Sequence, residues 1–189
     1  IDNMYKRNNK PVKKDSKPNF SFKIPLMKQK VQCQIYDQKR ICVDFEKIKA
    51  ISAVASHSKV VEDVVILKHE NKWVNANMIG VETSFLKMTK MTDHMVSGVP
   101  KLKQGDTFVA LIGASLLDRL GGYITEFDDE LVTCYAPKSD IRIRPGRSPF
   151  HSQVIAVTGS VNFNKEVNSE SFIVPLGLGK KLLGYDRQI

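Results

Sequence analysis

At 189 residues and 21.3 kDa, with 42% apolar residues, the chain has material for one domain with a real core and a short appendage. No run of about eighteen apolar residues occurs, which excludes a spanning helix, and the first twenty residues lack the apolar middle of a signal peptide. The net charge of +9 is uneven: residues 1–30 hold nine basic against two acidic side chains, whereas the remaining 159 hold 20 and 18.

That asymmetry describes an electrostatic arm on a near-neutral body, and an arm of this kind suits a polyanion: RNA, DNA or an anionic membrane surface. A solubilising tail is the plainer alternative. Residues 1–19 mix Asn, Lys, Asp, Ser and two prolines with scattered apolar side chains. They bury too little to offset their ordering entropy and predict a flexible, basic, disordered arm, with a single β-rich domain over 20–189. Order begins where Phe20, Phe22 and Ile24 alternate with Ser21 and Lys23, the period of a half-buried strand, with Pro25 confining it to an edge or bulge. Val31, Cys33 and Ile35 alternate in the same way. Asp44 then predicts a helix cap, followed by an apolar face of Phe45, Ile48, Ile51 and Ala55 on a helix reaching His57.

The β-branched run Val60–Leu67 and the stretch Trp73–Phe85 around Gly80 predict two more strands. Residues 87–106 read as a long loop with one short helix. Beyond it come the apolar segment Thr107–Leu117, interrupted by Gly113, a turn at Gly121-Gly122, and alternation over Tyr123–Phe127. Leu131–Tyr135, Ser139–Arg144, Gln153–Phe163 and Ser171–Leu176 complete a series of short strands separated by turn signals. The expected fold is mainly β: an antiparallel jelly-roll-like sandwich with one or two helices and the basic N-terminal arm. No internal repeat of a solenoid or propeller is visible.

Catalytic chemistry finds little support. His57, His69, His94 and His151 sit in no nucleophile motif, and solvated or structurally engaged histidines are the simpler reading. Asp128, Asp129 and Glu130 lack the ligand spacing of a calcium loop. Gly177–Lys181 lacks the spacing of a phosphate-binding loop and predicts a flexible segment leaving the last strand. The odd cysteine count (Cys33, Cys42, Cys134) and the absence of metal-type spacing point to a reducing compartment. No enzyme activity, cofactor or metal is expected.

The stronger site is Lys138–His151. On an extended chain Arg142 and Arg144 share one face, and Lys138 and Arg147 extend the positive neighbourhood. Planar guanidinium forks suit phosphate. With Lys6, Arg7, Lys10, Lys13, Lys14 and Lys17 of the arm, these form the expected nucleic-acid or anion-binding set, the alternative being a solvated strand face. No linear RNP-type aromatic motif accompanies them, so base stacking is not predicted.

Several segments resemble, in order, the core of the thirty-kilodalton superfamily of plant-virus movement proteins. These are Met78-Ile79-Gly80-Val81, Phe108–Ile112, Asp118, Val132–Tyr135, Ser139-Asp140, Val154–Val157 and Ile173–Leu176, covering residues 76–185. The chain departs from that pattern where Gly113 rather than an aspartate follows Ile112, with Asp118 coming later. The resemblance implies a jelly-roll-like domain that binds single-stranded nucleic acid, self-associates, and works in the host cytoplasm at the cell periphery and plasmodesmata. A matrix protein such as that of a plant rhabdovirus, bridging membrane and nucleocapsid in a virion, shares the basic arm and β-containing body. A small jelly-roll capsid protein would carry an arm richer in arginine than this one, whose first thirty residues include Arg7 alone.

Overall fold

The structure is a computed structural model and describes residues 51–52, 54–125, 129–138 and 148–184, together with the backbone of 19–22. Nine strands lie in it: β1 (Asn19–Phe22), β2 (Lys59–His69), β3 (Lys72–Val81), β4 (Met95–Gly98), β5 (Lys103–Gln104), β6 (Thr107–Gly113), β7 (Glu130–Pro137), β8 (Phe150–Val161) and β9 (Ser171–Pro175). Four α-helices accompany them among the described residues: α1 (Thr83–Met88), α2 (Ala114–Leu120), α3 (Lys165–Glu170) and α4 (Leu176–Leu183), with a 3-10 turn at Met91–His94.

The mainly β expectation holds, but the wholly antiparallel sandwich does not. Six strands pair in the order β8-β7-β2-β3-β9-β6, and β6 pairs again with β8, so the sheet closes into a barrel. Two of its seams, β3–β9 and β6–β8, are parallel. A closed barrel leaves no edge along these six strands, and β1, β4 and β5 attach at its margins.

The pairings are related by an approximate two-fold axis. Exchanging β2 with β7, β3 with β8, and β6 with β9 turns each seam into another observed seam: hairpin β2–β3 into hairpin β7–β8, and parallel β3–β9 into parallel β6–β8. The axis crosses the seam β2–β7 at Leu67↔Cys134, with Ile66↔Tyr135 and Lys68↔Thr133 symmetrically on either side, and crosses β6–β9 at Leu111↔Ile173. The strand pair β6-β9 is followed by equivalent helices, α2 and α4.

Strand alternation then divides the apolar side chains into two cores. Val61, Val65, Leu67, Ala76, Met78, Ala110, Ile112, Val132, Cys134, Ile155, Val157, Phe172 and Val174 fill the lumen, closed by Leu116, Leu117 and Leu120 of α2 and Leu178, Leu182 and Leu183 of α4. The residues between them in sequence, including Val60, Val81, Leu111, Val161 and Ile173, face a second core with Phe85, Met91 and Leu102. Burial in the lumen pushes the Cys134 thiol up to about 12, because the thiolate has no water there.

Several local expectations are corrected. The strand expected to reach Phe85 stops at Val81, and α1 carries Phe85 back onto the second core. The apolar segment from Thr107 breaks at Gly113: a side chain there would place a Cβ 2.3 Å from the Asn168 carbonyl oxygen, so only glycine fits, and α2 begins immediately. Tyr123–Thr125 is not a strand. The segment Gly177–Lys181 is not a flexible exit but the first half of α4, which crosses β3 so closely that a Cβ on Gly80 would lie 3.3 Å from the Gly179 Cα. One or two helices become four, and the stretch 87–106 contains β4 and β5 besides its 3-10 turn. Of the helix expected to reach His57, the described residues 51–52 and 54–57 are non-helical, with a turn closed by Val54 N–H on the Ile51 carbonyl. Asn19 belongs to β1 rather than to the arm. The rest of the arm, the Val31–Ile35 strand, residues 45–50 and the Ser139–Arg144 strand lie outside the described residues.

Candidate nucleic-acid interface

Of the expected anion-binding residues, Lys6, Arg7, Lys10, Lys13, Lys14, Lys17, Arg142, Arg144 and Arg147 lie outside the described residues. Lys138 lies at the end of β7. Its backbone N–H donates to the Pro149 carbonyl (2.9 Å) and its Nζ to the Ser148 carbonyl (3.1 Å). These bonds tie together the two residues that flank the segment 139–147, which itself lies outside the described residues.

What stands next to that tether was not expected from the sequence. The outward faces of β3, β2, β7 and β8 form one antiparallel surface. Across it run two rows: Trp73, Lys68, Thr133 and Val154, then Asn75, Ile66, Tyr135 and Ser152. Trp73 reaches diagonally to Tyr135, with ring centroids 5.1 Å apart and planes tilted by 33°. Tyr135 meets the edge of Phe150 at 6.5 Å and 88°. The Lys68 ammonium stands 5.1 Å from the Trp73 ring centroid, within cation–π range. Lys68 and Trp73 are cross-strand partners, so strand pairing itself sets this contact.

Trp73 remains 55% exposed, and on the same sheet face Val64, Leu131 and Val154 are likewise more than half exposed. Val64 and Leu131 are equivalents under the two-fold relation. Scattered apolar surface residues need no explanation, but these share one contiguous face. An open tryptophan backed by tyrosine and phenylalanine, with a lysine over its ring and a basic segment rooted beside it, offers π-faces and positive charge together. Those are the two elements by which proteins hold unpaired bases and their phosphates.

The histidines are engaged otherwise. His69 Nε2 lies 2.8 Å from Glu130 Oε1 and its Nδ1 3.2 Å from the Leu120 carbonyl, while Glu130 Oε2 accepts from the Tyr123 N–H at 3.1 Å. This latch ties the end of α2 to the start of β7. His94 stacks on Phe163 at 4.0 Å. Among the described residues no three His, Cys, Asp or Glu side chains gather as a metal ion would require, and no helix there is long and apolar enough to cross a membrane.

The signal for the aromatic face was present but dispersed: Trp73, Tyr135 and Phe150 occur at outward positions of three strands, so only the pairing registers bring them together. Comparison of the chain with protein-family models and with curated proteins finds no match to either.

Proposed function

We propose that this protein works by binding rather than catalysis, and that its open barrel face holds single-stranded nucleic acid without sequence preference along most of its length. The observation that carries the reading is the exposed Trp73, backed by the half-buried Tyr135 and Phe150 and joined by Lys68, at the root of the segment bearing Arg142, Arg144 and Arg147. Bases stack on the aromatic group, phosphates meet Lys138 and the arginines of the segment that follows it, and the basic arm adds charge. In the setting that the movement-protein resemblance implies, this binding coats a viral RNA for passage between cells, with self-association along the strand.

The reading is tested by fluorescence anisotropy with a labelled single-stranded RNA. Log affinity is expected to fall linearly with log salt, by about 0.7 per phosphate contact. Trp73→Ala or Tyr135→Ala is expected to weaken binding by about 1–3 kcal/mol per lost base stack, and duplex RNA to bind less well than the single strand. Unchanged binding by both aromatic variants, or binding indifferent to salt, defeats the reading. Attachment to phosphatidylserine vesicles in place of RNA favours a matrix-type protein instead.

A further inference from the structure

Beside the aromatic group, the same outer face runs into a cleft of about 230 Å³ where β3 meets the ends of α2 and α3. Its lining is Val64, Asn75, Ala76, Asn77, Arg119 and Glu170. Arg119 Nη1 donates to the Ser169 carbonyl at 2.9 Å, which holds the guanidinium against the end of α3, next to Glu170. Asn77 Nδ2 donates to Glu170 Oε2 at 3.1 Å, which fixes the carboxylate against β3. The remaining Arg119 donors, Glu170 Oε1 and the Asn75 amide make no hydrogen bond among the described residues.

This lining chooses its ligand class by charge. A phosphate would meet Arg119 but also the fixed carboxylate of Glu170, and an ammonium group would meet the reverse. With one cation and one anion side by side, the cleft suits a neutral, planar group that offers an acceptor next to donors. Guanine alone among the bases presents O6 beside two adjacent donors, N1–H and N2–H. The carboxylate accepts from the pair while the guanidinium donates to O6, and the exposed Val64 supplies apolar contact with the ring. Asn75 lies two residues from Trp73 on the same strand face, about 7 Å away, within reach of a neighbouring nucleotide.

We infer that the Arg119–Glu170 cleft receives an unstacked guanine of a strand whose adjacent bases lie on the Trp73 face; the inference rests on the proposed single-strand binding. It adds one point of base selectivity to an otherwise sequence-tolerant surface.

The experiment compares four labelled oligonucleotides: a uridine strand, and the same strand with one central guanosine, adenosine or cytidine. The guanosine strand is expected to bind about tenfold more tightly than the others, the scale of one good bidentate base contact. Glu170→Gln and, separately, Arg119→Ala are expected to bring it down to the level of the uridine strand, with an unchanged thermal midpoint reporting an intact fold. If all four strands bind equally, the cleft does not read guanine, while the single-strand reading stands. If the preference exists but survives both substitutions, the guanine lies elsewhere and the inference is overturned. Absence of binding to any strand removes the single-strand reading and this inference with it.

Discussion

On the β6–β9 side of the barrel, where the two-fold axis leaves the lumen at Leu111↔Ile173, the outward side chains are sealed: Leu111 is 0% and Ile173 3% exposed beneath Phe85, Met91 and Leu102. On the β2–β7 side, where the same axis passes Leu67↔Cys134, the outward residues are bare: Val64 is 55% and Leu131 59% exposed. Composition accounts for part of the contrast, since β2 and β7 also place Lys68, Thr133 and Tyr135 outward where β6 and β9 place Val109, Leu111 and Ile173, but it does not account for bare Val64 and Leu131. The difference is the inserted segment 82–102, whose α1, 3-10 turn and β4 cover one side, with no counterpart on the other among the described residues. That uncovered face, apolar and aromatic among the described residues, is the one proposed to hold the nucleic acid.

The contrast is broken most forcefully from the sealed side. Leu111→Ala or Ile173→Ala removes buried volume from a core that the covering segment cannot fully collapse into, with an expected loss of about 2–5 kcal/mol in stability by urea denaturation. Because the second core lies opposite the aromatic face, RNA affinity measured well below the unfolding transition is expected to stay unchanged. A matching loss of affinity would mean that the two sides are coupled through the barrel.

How much of this was legible in the sequence follows from the range over which each signal acts. The strands expected over Val60–Leu67, Leu131–Tyr135, Gln153–Phe163 and Ser171–Leu176 announced themselves through local alternation or β-branched content, which depends only on near neighbours, although the last two stop at Val161 and Pro175. The two parallel seams and the closure of β6 onto β8 depend on residues dozens of positions apart, and no strand carries a mark of its partner. Helix α4 was hidden by Gly177 and Gly179, which read as breakers; Gly179 is there because the helix lies against Gly80. The basic cluster was legible because charge is additive along a chain. The aromatic group was not, since Trp73, Tyr135 and Phe150 are 15 to 77 positions apart and meet through pairing register alone.

A second measurement asks whether the lumen beneath the open face is as dry as the sealed core. Cys134 sits there, paired with Leu67, and its thiol is pushed up to about 12 by burial. The sign follows from which form the fold favours. The neutral thiol is retained in the folded state above its unfolded value of about 8.5, so its contribution is complete below that pH and is lost as pH climbs toward 12. Comparing wild type with Cys134→Ala by urea denaturation cancels the other titrating groups. The stability advantage of wild type is expected to shrink by about 2 kcal/mol between pH 8.5 and 10. A constant difference would show water reaching the thiol, and the open face would then be a leaky wall rather than a dry one bearing exposed side chains.

The smallest expected effect is also the one that separates a binding face from an unfinished core. Leu131→Thr and Val154→Thr replace exposed apolar side chains with a polar, β-branched residue that strands accept readily. If the open face is complete as it stands, neither change removes packing, and stability is expected to stay within about 0.5 kcal/mol of wild type. Leu131 and Val154 border the aromatic group without belonging to it, so RNA affinity is expected to shift less than for Trp73→Ala. Should either threonine variant instead lose 2 kcal/mol or more, on the order of a buried-core deletion, the residue is covered in the folded protein. The face would then already be occupied by another part of the molecule or by a second copy, which dilution of the protein distinguishes: only the second case makes the loss depend on concentration.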